Sequence, residues 1–102
     1  MVGHLAERIF EEFYVDKLFL GAGAIDLKNG ASEFNIEDAL VKRAMVRTAK
    51  QVILVADSTK FNQVAFTSII ETKSIHTIIT DNELDPDIVS QLEAKGIEVF
   101  LT

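Results

Sequence analysis

The chain has 102 residues, which is the size of one domain, with 10 Lys+Arg against 16 Asp+Glu, a net charge of -6 and no cysteine. The absence of cysteine excludes a disulfide-held scaffold and any thiolate metal site. The acid excess argues against a nucleic-acid surface, because phosphate backbones are bound by clustered Lys and Arg. No stretch approaches the ~18 apolar residues needed to cross a bilayer. We therefore expect a single domain over residues 1–102, no membrane contact and a cytoplasmic location.

The first periodic segment predicts an amphipathic helix over residues 4–13. Acidic residues lie opposite a row of apolar side chains at helical spacing, namely Leu5, Ile9, Phe10 and Phe13. Such a helix needs an apolar surface to lie against.

A short strand is predicted at residues 18–20, and it ends in the small residues Gly21, Ala22 and Gly23. Small residues directly after a strand let the backbone turn tightly and let a ligand approach closely. The two glycines are spaced like the start of a dinucleotide fingerprint, but no helix opens where the third glycine belongs. We therefore expect a close-approach loop for a small ligand, and no cofactor.

A second helix is predicted from Ile36 to about Ala49, after a turn at residues 28–30. Its apolar residues recur at helical spacing, and Asn35 is a suitable N-cap. The basic residues along this helix, Lys42 among them, are typical of a solvated helix face.

Three further strands and a helix complete the pattern. The continuous apolar run at residues 52–56 (VILVA) is typical of a strand buried on both faces of a parallel sheet. Residues 75–80 predict the next strand, after a short connector. Asp85 and Pro86 then begin a helix, Gly96 ends it, and residues 97–101 form the last strand.

Strands that alternate with helices indicate right-handed crossovers and a mostly parallel sheet. We predict an α/β fold with three layers, in which a mostly parallel sheet of about four strands carries helices on both faces. Ligands of such sheets bind outside the carboxyl ends of the strands.

Three predicted strand ends carry residues suited to ligand binding. Besides the loop of residues 21–23, these are Asp57 with Lys60, and Asp81 after Thr80. Lys60 could hold a phosphate as a point charge, and Asp57 could accept hydrogen bonds from a sugar hydroxyl. The alternatives stay open: Asp57 as the cap of the following turn, Lys60 as a solvated side chain, and Asp81 as a structural turn residue.

Metal chemistry finds no support in the sequence. His4 and His76 have no partners at ligand spacing, and His76 falls within a predicted strand. We expect no metal site, and we identify no nucleophile elbow or paired catalytic carboxylates.

Four segments resemble the sensing domain of DeoR-type repressors of sugar metabolism, in the right order and at the right spacing. They are residues 15–26 (VDKLFLGAGAID), 39–46 (ALVKRAMV), 52–61 (VILVADSTKF) and 75–81 (IHTIITD). This resemblance implies a fold related to ribose-5-phosphate isomerase and CoA transferases. It also implies a phosphorylated sugar or related metabolite as the ligand, at the carboxyl edge of the sheet.

The resemblance points to six residues near the ligand: Gly21, Ala22, Gly23, Lys42, Asp57 and Lys60. The isomerases have acidic residues in the glycine loop, where this chain has Gly23 and Ala24. This departure favours binding over catalysis, so we expect no enzyme activity and no catalytic residues.

Two parts of the family pattern have no counterpart in this sequence: the winged helix that reads DNA, and the first half of the sensing domain with its Gly-Thr-Thr phosphate loop. We therefore expect the C-terminal part of a larger regulator, either an excised piece or a shortened gene product. DNA would be bound only through the absent domain. An exposed sheet edge and apolar face would favour a homo-oligomer.

Two alternatives remain open from the sequence. The chain could be a sugar-phosphate isomerase, with Asp26, Glu37 or Asp57 as its general base. It could also be a non-catalytic self-association module.

Overall fold

The computed structural model describes residues 15–102, so the predicted helix at residues 4–13 lies outside the described residues. The strands are β1 (Val15–Leu20), β2 (Ala24–Asp26), β3 (Gly30–Glu33), β4 (Ala49–Val55), β5 (Thr67–Ile70), β6 (Thr77–Thr80) and β7 (Glu98–Leu101). The α-helices are α1 (Ile36–Thr48) and α2 (Pro86–Ala94), and 3-10 turns lie at Ser58–Lys60 and Thr72–Ser74.

The main sheet has four strands in the order β1-β4-β6-β7, and every neighbouring pair is parallel. This confirms the predicted α/β class and the parallel sheet of about four strands. Because β1, β4 and β6 are adjacent and run the same way, their carboxyl ends meet at one edge of the sheet, here called the carboxyl edge. With its two helices, the sheet is compatible with a three-layer α/β fold.

Both described helices begin where the sequence predicts. The Asn35 side chain accepts a hydrogen bond from the backbone N–H of Asp38 at 3.0 Å, which caps α1. Asp85 caps α2 in the same way through the N–H of Asp87 at 2.9 Å, with Pro86 in the first turn. Gly96, with a positive φ of 87°, follows the end of α2.

A second, antiparallel sheet of β2, β3 and β5 is absent from the sequence prediction. The predicted turn before Gly30 joins β2 to β3 as a hairpin, and Gly30 has a φ of 83°. A Cβ at this position would lie 2.1 Å from the backbone oxygen of Ile70, so only glycine fits there. These strands have three or four residues each, too few to show an alternating pattern, and β5 pairs with a strand far away in the chain.

One face of the main sheet is buried and the other is partly bare. Leu54 and Ile78 are neighbours in register on the buried face, and both are 0% exposed. On the opposite face Phe19 is 63%, Val55 44% and Phe100 50% exposed. The prediction that VILVA is buried on both faces is therefore wrong at Val55, because no described element covers that residue.

The buried face joins both sheets and α2 into one apolar core. Leu20 and Leu54 of the main sheet share it with Ile25 of the second sheet and Leu92 of α2. The helix α1 lies against β5 and also contacts β1, β3 and β4, with its buried Ala39 and Ala44 allowing close approach. Within residues 15–102, no helix is long and apolar enough to span a membrane.

Candidate functional site

The glycine loop (residues 21–23) begins at the end of β1 and lies beside the end of β4. Leu20 pairs with Leu54 in register, and a Cβ on Gly21 would lie 3.9 Å from the backbone oxygen of Val55. The ends of β1 and β4 therefore meet, as the parallel arrangement requires.

Lys42 reaches this loop from α1. Its Nζ donates a hydrogen bond to the backbone oxygen of Gly21 at 2.9 Å. The same ammonium forms an ion pair with the carboxylate of Glu33, at the end of β3. The side chains are only 24% exposed for Lys42 and 14% exposed for Glu33. Lys42 therefore belongs to the strand edge rather than to a solvated helix face, which corrects what the basic spacing alone predicts.

Gly23 is small because the side chain of Glu33 needs its space. A Cβ on Gly23 would lie 2.5 Å from Glu33 Oε1 and 3.0 Å from a ring carbon of Phe34. Its backbone N–H donates to the Ser32 oxygen at 3.1 Å, so the loop is held against β3. A side chain at Gly23 would therefore have to displace the Glu33 carboxylate and press on the Phe34 ring, whereas Gly21 has room for one.

Lys60 closes the 3-10 turn that follows β4. The next residue, Phe61, forms a parallel β-bridge with Ile25 of β2. Lys60 and Ala24 are therefore the residues directly before this bridge, each on its own segment. This brings the backbone of Lys60 beside the residue that follows the glycine loop. Lys60 is partly buried, and its ammonium has no hydrogen-bond or ion-pair partner among residues 15–102.

Asp57 acts as the cap of this turn. One carboxylate oxygen, Oδ1, accepts from the backbone N–H of Thr59 at 2.9 Å and from the Thr59 hydroxyl. The side chain is exposed. Asp57 thus caps the turn, which was the structural alternative, and its second oxygen has no hydrogen-bond partner among residues 15–102.

Asp81 links the loop after β6 to the loop after β4. Its Oδ2 accepts from the backbone N–H of Ser58 at 2.8 Å, and its Oδ1 accepts from the N–H of Glu83 at 2.9 Å. These N–H groups, Ser58 first, hold the pKa of Asp81 below its ordinary value. The neighbouring Thr80 hydroxyl is buried and has no hydrogen-bond partner among the described residues.

Residues 15–102 line at least two hollows. The smaller, of about 230 Å³, lies at the carboxyl edge, between the ends of β4 and β6; its lining residues are Val55, Ala56, Asp57, Ile79, Thr80, Asp81 and Thr102. The larger, of about 570 Å³, lies near the amino ends of β6 and β7, and is lined by Leu27, Lys28, Asn29, Glu71, Thr72, Lys73 and Lys95. We give the smaller hollow more weight, because ligands of open parallel sheets bind at the carboxyl ends of the strands.

The geometry brings four of the six predicted residues into direct association: the three of the glycine loop and Lys42, joined through Glu33. Asp57 and Lys60 lie on the adjoining turn. The sequence gives no sign of a role for Glu33, because its pattern does not predict β3. Glu33 and Lys42 are nine residues apart, and the helix α1 begins between them. Their spacing therefore follows neither a helical nor a strand period that would predict contact.

A parallel sheet with ammonium, carboxylate and small residues at its carboxyl edge is typical of α/β domains that bind small polar molecules. Among residues 15–102, no group of three His, Asp or Glu side chains is arranged to hold a metal ion.

Comparison with known proteins identifies the family. The family model for the DeoR C terminal sensor domain matches residues 1–82. The chain therefore belongs to the DeoR C-terminal sensor family, as the four sequence segments predict.

The chain is similar to several bacterial and archaeal regulators. It is 39% identical over 99 residues to a putative aga operon transcriptional repressor of Escherichia coli O157:H7, and 40% identical over 97 residues to the uncharacterized HTH-type regulator YulB of Bacillus subtilis. It is 36% identical over 99 residues to the HTH-type regulator GlpR of Haloferax volcanii. These matches cover 95–97% of this chain but only 37–39% of the relatives.

Proposed function

We propose that this chain is the effector-binding part of a DeoR-type transcriptional repressor of sugar metabolism, and that its effector is a phosphorylated sugar. The observation that carries the proposal is the carboxyl edge, where Lys42 and the glycine loop lie beside the turn that ends in Lys60. Membership in the DeoR sensor family supports it, as do the relatives described as transcriptional regulators and repressors.

The charges at this edge suit a ligand with an anionic end and a polyhydroxyl body. Lys60 has no partner within residues 15–102, and its ammonium is suited to hold a phosphate as a point charge. The second oxygen of the Asp57 carboxylate, which has no partner within residues 15–102, could accept a hydrogen bond from a sugar hydroxyl.

In the intact regulator, the effector would act by shifting a conformational equilibrium. It must bind one of two arrangements more tightly than the other, since equal affinity for both shifts nothing. DNA would be contacted by a part of the regulator outside this sequence, because this sequence is acidic overall, with a net charge of -6. Such a regulator would work in the cytoplasm.

We also propose that the chain is not an isomerase. Two of the three carboxylates considered as general bases are engaged in local structure. Asp26 accepts from the backbone N–H groups of Lys28 and Asn29 in the hairpin turn, and Asp57 caps its own turn. The third, Glu37, lies exposed in the first turn of α1. Incubation with ribose 5-phosphate should give no ribulose 5-phosphate, and turnover abolished by replacing one of these carboxylates would overturn this proposal.

A thermal-shift screen tests the binding proposal. Sugar phosphates of three to six carbons should include at least one that raises the melting temperature, whereas the unphosphorylated sugars should not. Lys60→Ala should abolish this shift and leave the melting temperature of the free chain unchanged. Lys95→Ala is the matched control, because Lys95 is an exposed lysine far from the carboxyl edge. A panel without any shift, or equal loss in both variants, would contradict the proposal.

We propose, finally, that the chain self-associates with a second copy. Support comes from the bare apolar side chains on one face of the main sheet, Phe19 and Phe100, which lie on its two edge strands. Sedimentation velocity across a range of concentrations should show a dimer or larger species. A strict monomer at every concentration would refute it.

A further inference from the structure

The ion pair between Glu33 and Lys42 limits what can bind beside Lys42. An ammonium has three donors, and Lys42 uses two of them, on the Glu33 carboxylate and on the Gly21 oxygen. Its positive charge is already balanced by Glu33. Lys42 is therefore a poor anchor for a second anion.

The Glu33 carboxylate also lies over the glycine loop. Its Oε1 occupies the space where a side chain on Gly23 would begin. A phosphate that approached the loop near Lys42 would meet this negative charge at short range. Because both side chains are mostly buried, solvent and salt would screen the repulsion only weakly.

Lys60 offers the opposite environment. It is partly buried, and no carboxylate within residues 15–102 pairs with its ammonium. Among residues 15–102, therefore, the charge of Lys42 is balanced by a carboxylate and that of Lys60 is not.

We propose that Glu33 is a specificity-determining residue that keeps phosphate away from Lys42. The Glu33–Lys42 pair then binds the hydroxyl and carbonyl oxygens of the sugar, and the phosphate lies at Lys60. A carboxylate beside an ammonium presents an acceptor next to a donor, which matches a polyhydroxyl chain. The part of this inference that concerns the sugar rests on the proposed function, whereas the exclusion of phosphate from Lys42 can be tested without any sugar.

The test uses the 102-residue chain, labelled with nitrogen-15 and titrated with inorganic phosphate. In the unmodified chain, amide shifts should change around Lys60 and stay unchanged at residues 21–23 and Lys42. In Glu33→Gln, a second response should develop at residues 21–23, with phosphate affinity there at least about tenfold higher. This estimate comes from the effect of one nearby charge on an ionic equilibrium. Glu33→Asp keeps the charge and should exclude phosphate as the unmodified chain does.

A purely structural role for Glu33 would not create a new phosphate site, so this gain distinguishes the two roles. If Glu33→Gln fails to fold, Lys60→Ala decides: the phosphate response should vanish, because Lys42 cannot replace Lys60. The inference is overturned if phosphate shifts residues 21–23 in the unmodified chain, if folded Glu33→Gln gains no site, or if Lys60→Ala keeps a response centred on Lys42.

Ribose 5-phosphate provides the second arm. If the unmodified chain binds it more tightly than inorganic phosphate, Glu33→Gln should reduce that preference at least about tenfold. An unchanged preference overturns the sugar-reading role of the pair. If no sugar phosphate binds more tightly than inorganic phosphate, the proposed function and the sugar-reading role fail, while the phosphate titration still decides the exclusion.

Discussion

Gly23→Ala should destabilise the chain by placing a methyl group where the Glu33 carboxylate lies. The new Cβ would be 2.5 Å from Glu33 Oε1 and 3.0 Å from the Phe34 ring. Overpacking of this kind costs about 1–3 kcal/mol. The reduced freedom of the unfolded chain returns about 0.4–1 kcal/mol. The difference leaves a fall in the free energy of unfolding of up to about 2.6 kcal/mol, with a central value of about 1.3 kcal/mol.

For a domain of this size, the central value corresponds to a fall in melting temperature of about 5–10 °C. Thermal and urea denaturation followed by circular dichroism would measure it. Gly21→Ala is the matched control, since its Cβ would have only an ordinary contact at 3.9 Å with the Val55 oxygen. We expect that variant to be as stable as the unmodified chain, or slightly more stable. Equal melting temperatures for the two variants would refute the steric reasoning about Gly23.

Three other substitutions test the structure away from the glycine loop. Asn35→Ala removes the cap of α1 and should lower the free energy of unfolding by about 1 kcal/mol. Its control, Asn82→Ala at an exposed loop residue, should change the free energy of unfolding by less than about 0.5 kcal/mol. Similar urea midpoints for the two variants would count against the cap. N–H donors hold the pKa of Asp81 below its ordinary value of 3.8. The ionised carboxylate therefore stabilises the fold at pH values above 3.8, and this contribution is lost as the pH falls through the lower pKa of the folded state. Asp81→Asn should therefore be less stable than the unmodified chain at pH 7, with a difference that shrinks in acid; a difference independent of pH in urea titrations would show that ionisation is not responsible. Thr80→Val replaces a buried hydroxyl that lacks a partner among the described residues, so it should leave the melting temperature unchanged or raise it, whereas a fall would point to an undetected hydrogen bond of that hydroxyl.

The main sheet and both described helices could be predicted because their signals are local. A capping side chain such as Asn35 or Asp85 lies within three residues of the N–H group it binds. The long apolar run of β4 needs nothing beyond its own residues to indicate a parallel strand. The second sheet could not be predicted, because its short strands are stabilised by pairing between distant segments.

The candidate site was predictable at the level of the strand ends and not at the level of side-chain partners. Helical spacing alone predicts that Lys42 lies on the surface, and only the family resemblance indicates that it lies near the ligand. Its pairing with Glu33 depends on how the end of β3 lies against α1, which no local pattern encodes. For Asp57, both interpretations were available from the sequence, and the contact with Thr59 realises the structural one.

The bond from the Ser58 N–H to Asp81 joins two loops that are far apart in the sequence. The first loop includes the turn that ends in Lys60, and the second leads into α2. Within the second loop, the backbone N–H of Leu84 donates to the backbone oxygen of Asp81 at 3.5 Å. Neither loop can be displaced alone without breaking a charge-assisted hydrogen bond. The Asp81 carboxylate therefore links the turn that ends in Lys60 to the loop that leads into α2.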